Sequence, residues 1–118
     1  MAFRIRRKLS SDSEFLALPP EVREVFIVVF RELAVSKSPR LRGQGYFIEE
    51  LRQRQKIAPE GIFSVHVTEL PREEWFWRGA FFRRRSDLVF FGFGPRFPDF
   101  YVRMARARAA MSRVDDER

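Results

Sequence analysis

Cysteine is absent from this chain of 118 residues, and histidine occurs once, as His66. The first absence excludes disulfides, thiolate zinc sites and a cysteine nucleophile, and the second excludes a metal centre built from several histidines. Long apolar runs are also missing: the strongest, Val25 to Phe30, is far too short to cross a bilayer. The basic stretch from Met1 to Phe15 is not followed by an apolar segment, so no signal peptide is expected. A cysteine-free composition fits a reducing cytoplasm. Neither a membrane nor a cofactor is expected as a partner.

Lysine is scarce as well. The formal charge is +7, with 23 basic residues of which nearly all are Arg. Arginine carries a planar fork of donors that grips phosphate at two points and stacks on bases, whereas lysine solubilises a surface without that geometry. The balance favours a phosphate-bearing partner or an acidic protein that mimics one. The plainer reading is a genome that encodes arginine wherever lysine would serve.

What is plentiful is apolar and aromatic: 45% of the residues are hydrophobic, 15% are aromatic, and 14 are Phe. Such a chain is too apolar to stay disordered, and its length suits one domain. The domain is expected over residues 1–114, with 115–118 a frayed acidic tail.

Periodicity divides the chain. Phe3-Arg4-Ile5-Arg6 alternates as a half-buried strand does. Ser10 to Ser13 offers helix N-caps ahead of a short turn ending near Leu18. Pro20 suits the first turn of a longer helix, to about Ala34, whose Val22, Val25, Phe26, Val29, Phe30 and Leu33 form one wide apolar stripe. A loop over Ser36 to Gly45 leads to an expected second helix from Tyr46 to Gln55, and Pro59-Glu60-Gly61 to a turn.

The period then becomes two. Phe63, Val65 and Val67 alternate with Ser64, His66 and Thr68. A turn over Leu70 to Glu74 precedes a second strand over Trp75 to Arg84, and Arg83-Arg84-Arg85 begins the next turn. Leu88 to Phe93 is apolar enough to be a central strand covered on both faces. Asp99 is placed to cap a last, Arg-lined helix that reaches about Val114. The order predicts an α+β fold: a small antiparallel sheet, made of the N-terminal strand and a three-strand meander, with the early helices on one face. The other face is expected to be open and to carry His66, Thr68 and Arg78.

Five local signatures, in this order, carry a resemblance. They are Leu18-Pro19-Pro20 before a long helix, a strand ending in Glu69-Leu70, the aromatic–arginine pair Trp77-Arg78, an apolar strand running into Gly92-Phe93-Gly94-Pro95-Arg96, and the Ala/Arg-rich Met104 to Arg108. In them the chain resembles the RelE/ParE toxin superfamily, nearest its HigB-like branch. The resemblance implies a toxin that cuts messenger RNA in the ribosome and is neutralised by a cognate antitoxin. It further implies that Arg78 binds phosphate, that Arg96 is the basic residue after the glycine loop, and that Tyr101 stacks on a base or assists proton transfer.

Metal-free RNA cleavage needs a base for the 2′-hydroxyl, a cation for the crowded phosphorane and an acid for the leaving 5′-oxygen. His66, on the strand where RelE supplies lysines, is the candidate base, with an ordinary pKa near neutrality. Arg72, Arg83, Arg84, Arg85 and Arg103 are candidate RNA contacts. Each has a structural alternative: a strand histidine packed for shape, Arg78 paired to Glu69 across the strands, Arg96 and the arginine turn merely solvated, Tyr101 packed with its hydroxyl wet. Two other functions compete, a ParE-like inhibitor of DNA gyrase without catalysis and a basic nucleic-acid-binding module without toxicity.

Overall fold

The computed structural model describes residues 3–50, 61–68 and 76–116, with 112–116 as helical backbone. Strand β1 (Arg4–Arg7) leads into α1 (Leu9–Leu16) and α2 (Pro20–Val35). Strands β2 (Arg42–Gly43), β3 (Tyr46–Glu50), β4 (Ile62–Val67), β5 (Trp77–Arg84) and β6 (Asp87–Pro95) follow, and α3 (Phe100–Asp116) closes the order.

The class is α+β as expected, but the sheet is larger and mixed. Among the described residues it has six strands in the order β1-β6-β5-β4-β3-β2. β1 runs parallel to β6, and every other neighbour is antiparallel. The expected helix over Tyr46 to Gln55 is corrected at its start: Tyr46–Glu50 is a strand paired along β4. Tyr46 and Ile48 are buried with Phe47 between them, a two-residue period that the following acidic and Gln/Arg stretch obscures in sequence. The rest of that segment lies outside the described residues, as do the turn over Leu70 to Glu74, Trp75 and Arg72.

Both faces of the sheet are covered, by different helices. On one face Phe15 of α1 and Val22, Phe26, Val29 and Leu33 of α2 pack on Val65, Val67, Phe81, Phe90 and Phe93. Phe26 and Phe93 meet edge to face, with centroids 5.2 Å apart, an arrangement that aligns ring edge with ring face charge. Gly79 makes this closeness possible, because a Cβ there would lie 2.6 Å from the Phe26 ring.

On the other face Phe100, Met104 and Met111 of α3 pack on Ile62, Ala80, Phe82, Val89 and Phe91. Here Gly92 lies directly under the Met104 side chain. A bulge at Ala80/Phe81 sets β6 out of simple alternation, so Phe90 and Phe93 serve the first core while Phe91 and Gly92 meet α3. The expectation that this strand is covered on both faces holds, and the expectation of a wholly open second face does not. The hydrophobic side of α3, masked in sequence by its arginines, closes over it.

Helix termini differ in detail. The residue before α1 is Lys8, which makes no side-chain cap; instead Ser11 Oγ donates to the Lys8 carbonyl at 2.7 Å. Asp99 precedes α3 with φ of 55° and accepts the Arg103 N–H on its own carbonyl at 3.0 Å. No helix among the described residues is long and apolar enough to cross a membrane.

Candidate nucleic-acid site

On the second face, beside the start of α3, a row of residues crosses the sheet, with His66 and Arg78 buried within it. Phe47 of β3 is opposite His66 of β4, His66 is opposite Arg78 of β5, and Arg78 is opposite Gly94 of β6. Directly opposed residues share a face, so strand register alone gathers these side chains. Tyr101, in the first turn of α3, closes the row from above: its hydroxyl accepts a hydrogen bond from Arg78 Nε at 3.1 Å. Arg78 also donates through a terminal nitrogen to the Trp77 carbonyl at 3.2 Å. Arg78 as a residue is 4% exposed, so its side chain is enclosed on several sides.

His66 is held as closely. Its ring stacks on Phe47, with centroids 4.3 Å apart and planes 7° from parallel. Nε2 lies 3.0 Å from Glu49 Oε1 but lacks the alignment of a hydrogen bond. One step along the same face, Ser64 Oγ is also buried without a hydrogen-bond partner. Burial first, then the positive charges of Arg78 and Arg96, push the His66 pKa down to about 3. These outweigh the half-exposed Glu49 carboxylate, which alone would favour the imidazolium. The near-neutral pKa expected of His66 is therefore corrected: the ring is neutral at physiological pH and a weak base.

Arg96 follows β6 and is exposed; its N–H donates to the Phe76 carbonyl at 2.7 Å, and its guanidinium sits 4.9 Å from the centroid of Phe97. Arg103, also exposed, lies 5.7 Å over Phe100 and near the Cα of Gly94. The fold thus brings together His66, Arg78 and Tyr101, with Arg96 and Arg103 at the margin. Arg83, Arg84 and Arg85 are elsewhere, at the far end of β5, about 20 Å from Arg78 at the usual rise per residue. There Arg83 donates to the Arg85 carbonyl at 2.9 Å and covers Phe3, and Arg84 covers Phe82. Arg72 and the Glu69 expected to pair with Arg78 lie outside the described residues.

Two residues of the site were not singled out in sequence, Phe47 and Glu49, because their segment reads as helix. The alternation Tyr46-Phe47-Ile48-Glu49 was the available signal. Among the described residues no group of His, Asp and Glu is arranged to hold a metal ion.

No protein-family model matches the chain. No curated protein matches it in sequence. A solved structure does match in shape, that of the archaeal RelE–RelB complex from Pyrococcus horikoshii OT3, with a TM-score of 0.53 over 81% of this chain and 97% of that chain. Identity is 13%, so the likeness is one of fold: this chain has a RelE-like fold.

Proposed function

We propose that the chain is the toxin of a toxin–antitoxin pair, of the RelE and HigB kind, and that it cuts messenger RNA on the ribosome without a metal. The observation that carries this reading is Arg78, a buried arginine locked to the Tyr101 hydroxyl and set beside His66 on a RelE-like sheet, with Arg96 exposed at its margin. Burying a cation is costly, and a fold that fixes one at the mouth of a basic face has a preorganised site for an anion.

In this reading the scissile phosphate rests between Arg78 below and Arg96 outside. The 2′-oxygen attacks phosphorus, its proton passes to a base, and the 5′-oxygen leaves with a proton, giving a 2′,3′-cyclic phosphate and a 5′-hydroxyl. With His66 so weakly basic, the base is Glu49, whose half-exposed carboxylate faces the His66 ring at 3.0 Å. Phe47 stacks on His66 and keeps the ring beside that carboxylate. Tyr101, bonded to Arg78, is the nearest proton source for the leaving oxygen. Arg83, Arg84 and Arg85, at the other end of the strand, contact ribosomal RNA rather than the cleaved bond. A cognate antitoxin keeps the toxin in check, as RelB accompanies RelE in the similar structure.

Primer extension on a defined message, with and without translating ribosomes, tests this. Cuts that require ribosomes and disappear with Arg78→Ala support it. An intact message under both conditions, with growth still arrested on induction, points to a non-enzymatic target such as gyrase.

A further inference from the structure

The loop between β6 and α3 presents an aromatic ring that the proposed chemistry does not use. Phe97 is 62% exposed, and it is the one aromatic among the large hydrophobic side chains left exposed in the described residues. Its neighbours hold it out. Pro95 and Pro98 restrict the backbone on either side, the Arg96 N–H is tied to the Phe76 carbonyl, and the Asp99 carbonyl accepts the first hydrogen bond of α3. An exposed ring on a restrained loop loses little conformational freedom when something stacks on it.

Beside the ring is a hollow of about 370 Å³, lined by Pro95, Phe97, Pro98, Asp99, Val102, Arg103 and Arg106. Its composition is specific in kind. An aromatic face, two prolines and a valine offer an apolar floor for a flat ring. Arg103 and Arg106, one helical turn apart, are exposed cations on one wall. Asp99 is an acceptor suited to amino or imino hydrogens on the edge of a base and repels a phosphate placed against it. Aromatic face, edge acceptor and flanking cations together match one nucleotide, its base in the hollow and its phosphates on the arginines. The hollow is also next to the cleavage site, since Arg96 precedes Phe97 and Tyr101 follows Asp99 by two residues.

We infer that Phe97 and this hollow form a base-stacking subsite for an unpaired RNA nucleotide neighbouring the cut bond, with Arg103 and Arg106 gripping its phosphates. The inference rests on the reading of the adjacent site as one for RNA.

The test uses the full chain and a short single-stranded RNA in which 2-aminopurine, whose fluorescence is quenched by stacking, replaces one base at each position in turn. At low salt the wild-type protein is expected to quench strongly at one position or two adjacent ones. Phe97→Ala, a surface change that leaves the melting temperature unaltered, removes that quenching and weakens binding about tenfold or more, and Phe97→Trp restores both. Arg103→Ala with Arg106→Ala weakens binding at every position and flattens its salt dependence, while quenching persists at saturation. If Phe97→Ala binds and quenches as the wild type does while Arg78→Ala weakens binding, the subsite is wrong and the neighbouring site stands. If the wild type binds no RNA at low salt, the subsite is wrong; if it also cuts no message on translating ribosomes, the reading of the adjacent site fails with it.

Discussion

At the scale of single residues, the site depends on how two buried polar side chains are held. Arg78 uses the shape of its guanidinium: Nε reaches Tyr101 while a terminal nitrogen reaches the Trp77 carbonyl. A lysine has one nitrogen on a flexible stem and cannot span both. Arg78→Lys is therefore expected to keep the charge and lose the geometry, with cleavage falling about 100-fold or more, as when a preorganised oxyanion donor is removed. Tyr101→Phe removes one hydrogen bond to a charged group, which costs about 1.5–3 kcal/mol. Chemical denaturation would show that loss, and cleavage assays would show a further one if the hydroxyl carries a proton.

His66 gives a pH signature. Its pKa is about 3 in the fold against 6.5 for the free side chain. Below pH 6.5 the unfolded chain takes up a proton that the folded chain refuses, so the unfolded state binds more protons and stability falls with falling pH. This loss accumulates between about pH 6.5 and about pH 3 and is absent at higher pH. Its full size is on the order of 5 kcal/mol. Urea denaturation of the wild type and of His66→Gln across that range should give curves that converge at low pH. Parallel curves would mean that the ring is not buried as described.

At the scale of elements, closeness between helix and sheet is set by two glycines on opposite faces. A methyl at Gly79 would press on Phe26 of α2, and one at Gly92 would press on Met104 of α3. Overpacking of this kind costs typically about 1–3 kcal/mol. Gly92→Ala is expected to be the milder change, since an unbranched methionine yields where a packed phenylalanine ring does not. It is also expected to shift α3, and with it Tyr101, so activity should fall more than stability. Thermal melts alongside cleavage assays separate the two effects.

The elements also show what sequence can carry. The Val22–Phe26–Val29–Leu33 stripe announces α2, and the alternation around Val65 announces β4, because each is half buried and its period is visible. The glycine–proline interruption before Arg96 likewise marks the loop that leads to α3. β3 is misread because its two-residue period spans only a few positions before acidic residues interrupt it. The pairing of β1 with β6 joins residues more than 80 positions apart, at Arg4 and Asp87, and no local pattern encodes that contact. Their ion pair at 2.9 Å appears only once the strands are adjacent. Arg78 and Tyr101 were legible individually from the resemblance, but the bond between them, and the partnership of Glu49 and His66, depend on register between strands distant in sequence.

At the scale of the whole molecule, the proposed association with RNA, by a chain of net charge +7, is expected to depend on counterion release. Binding to RNA or to ribosomes should weaken linearly on a log–log plot against salt, and Arg83→Ala with Arg84→Ala should reduce the slope by nearly two. Cleavage of an already bound message should change little, because that turn is at the opposite end of β5 from Arg78. The molecule in this account has two working ends on one strand, one that chooses the surface and one that performs the reaction.

The most direct test of that account is single-turnover cleavage of message on programmed ribosomes, with wild type, Arg78→Ala and Glu49→Gln each confirmed as folded. The wild type is expected to leave a 2′,3′-cyclic phosphate, and either substitution to slow the cut about 100-fold or more with ribosome binding retained. Wild-type cleavage rates in both variants, or no cleavage by any of the three, would contradict it.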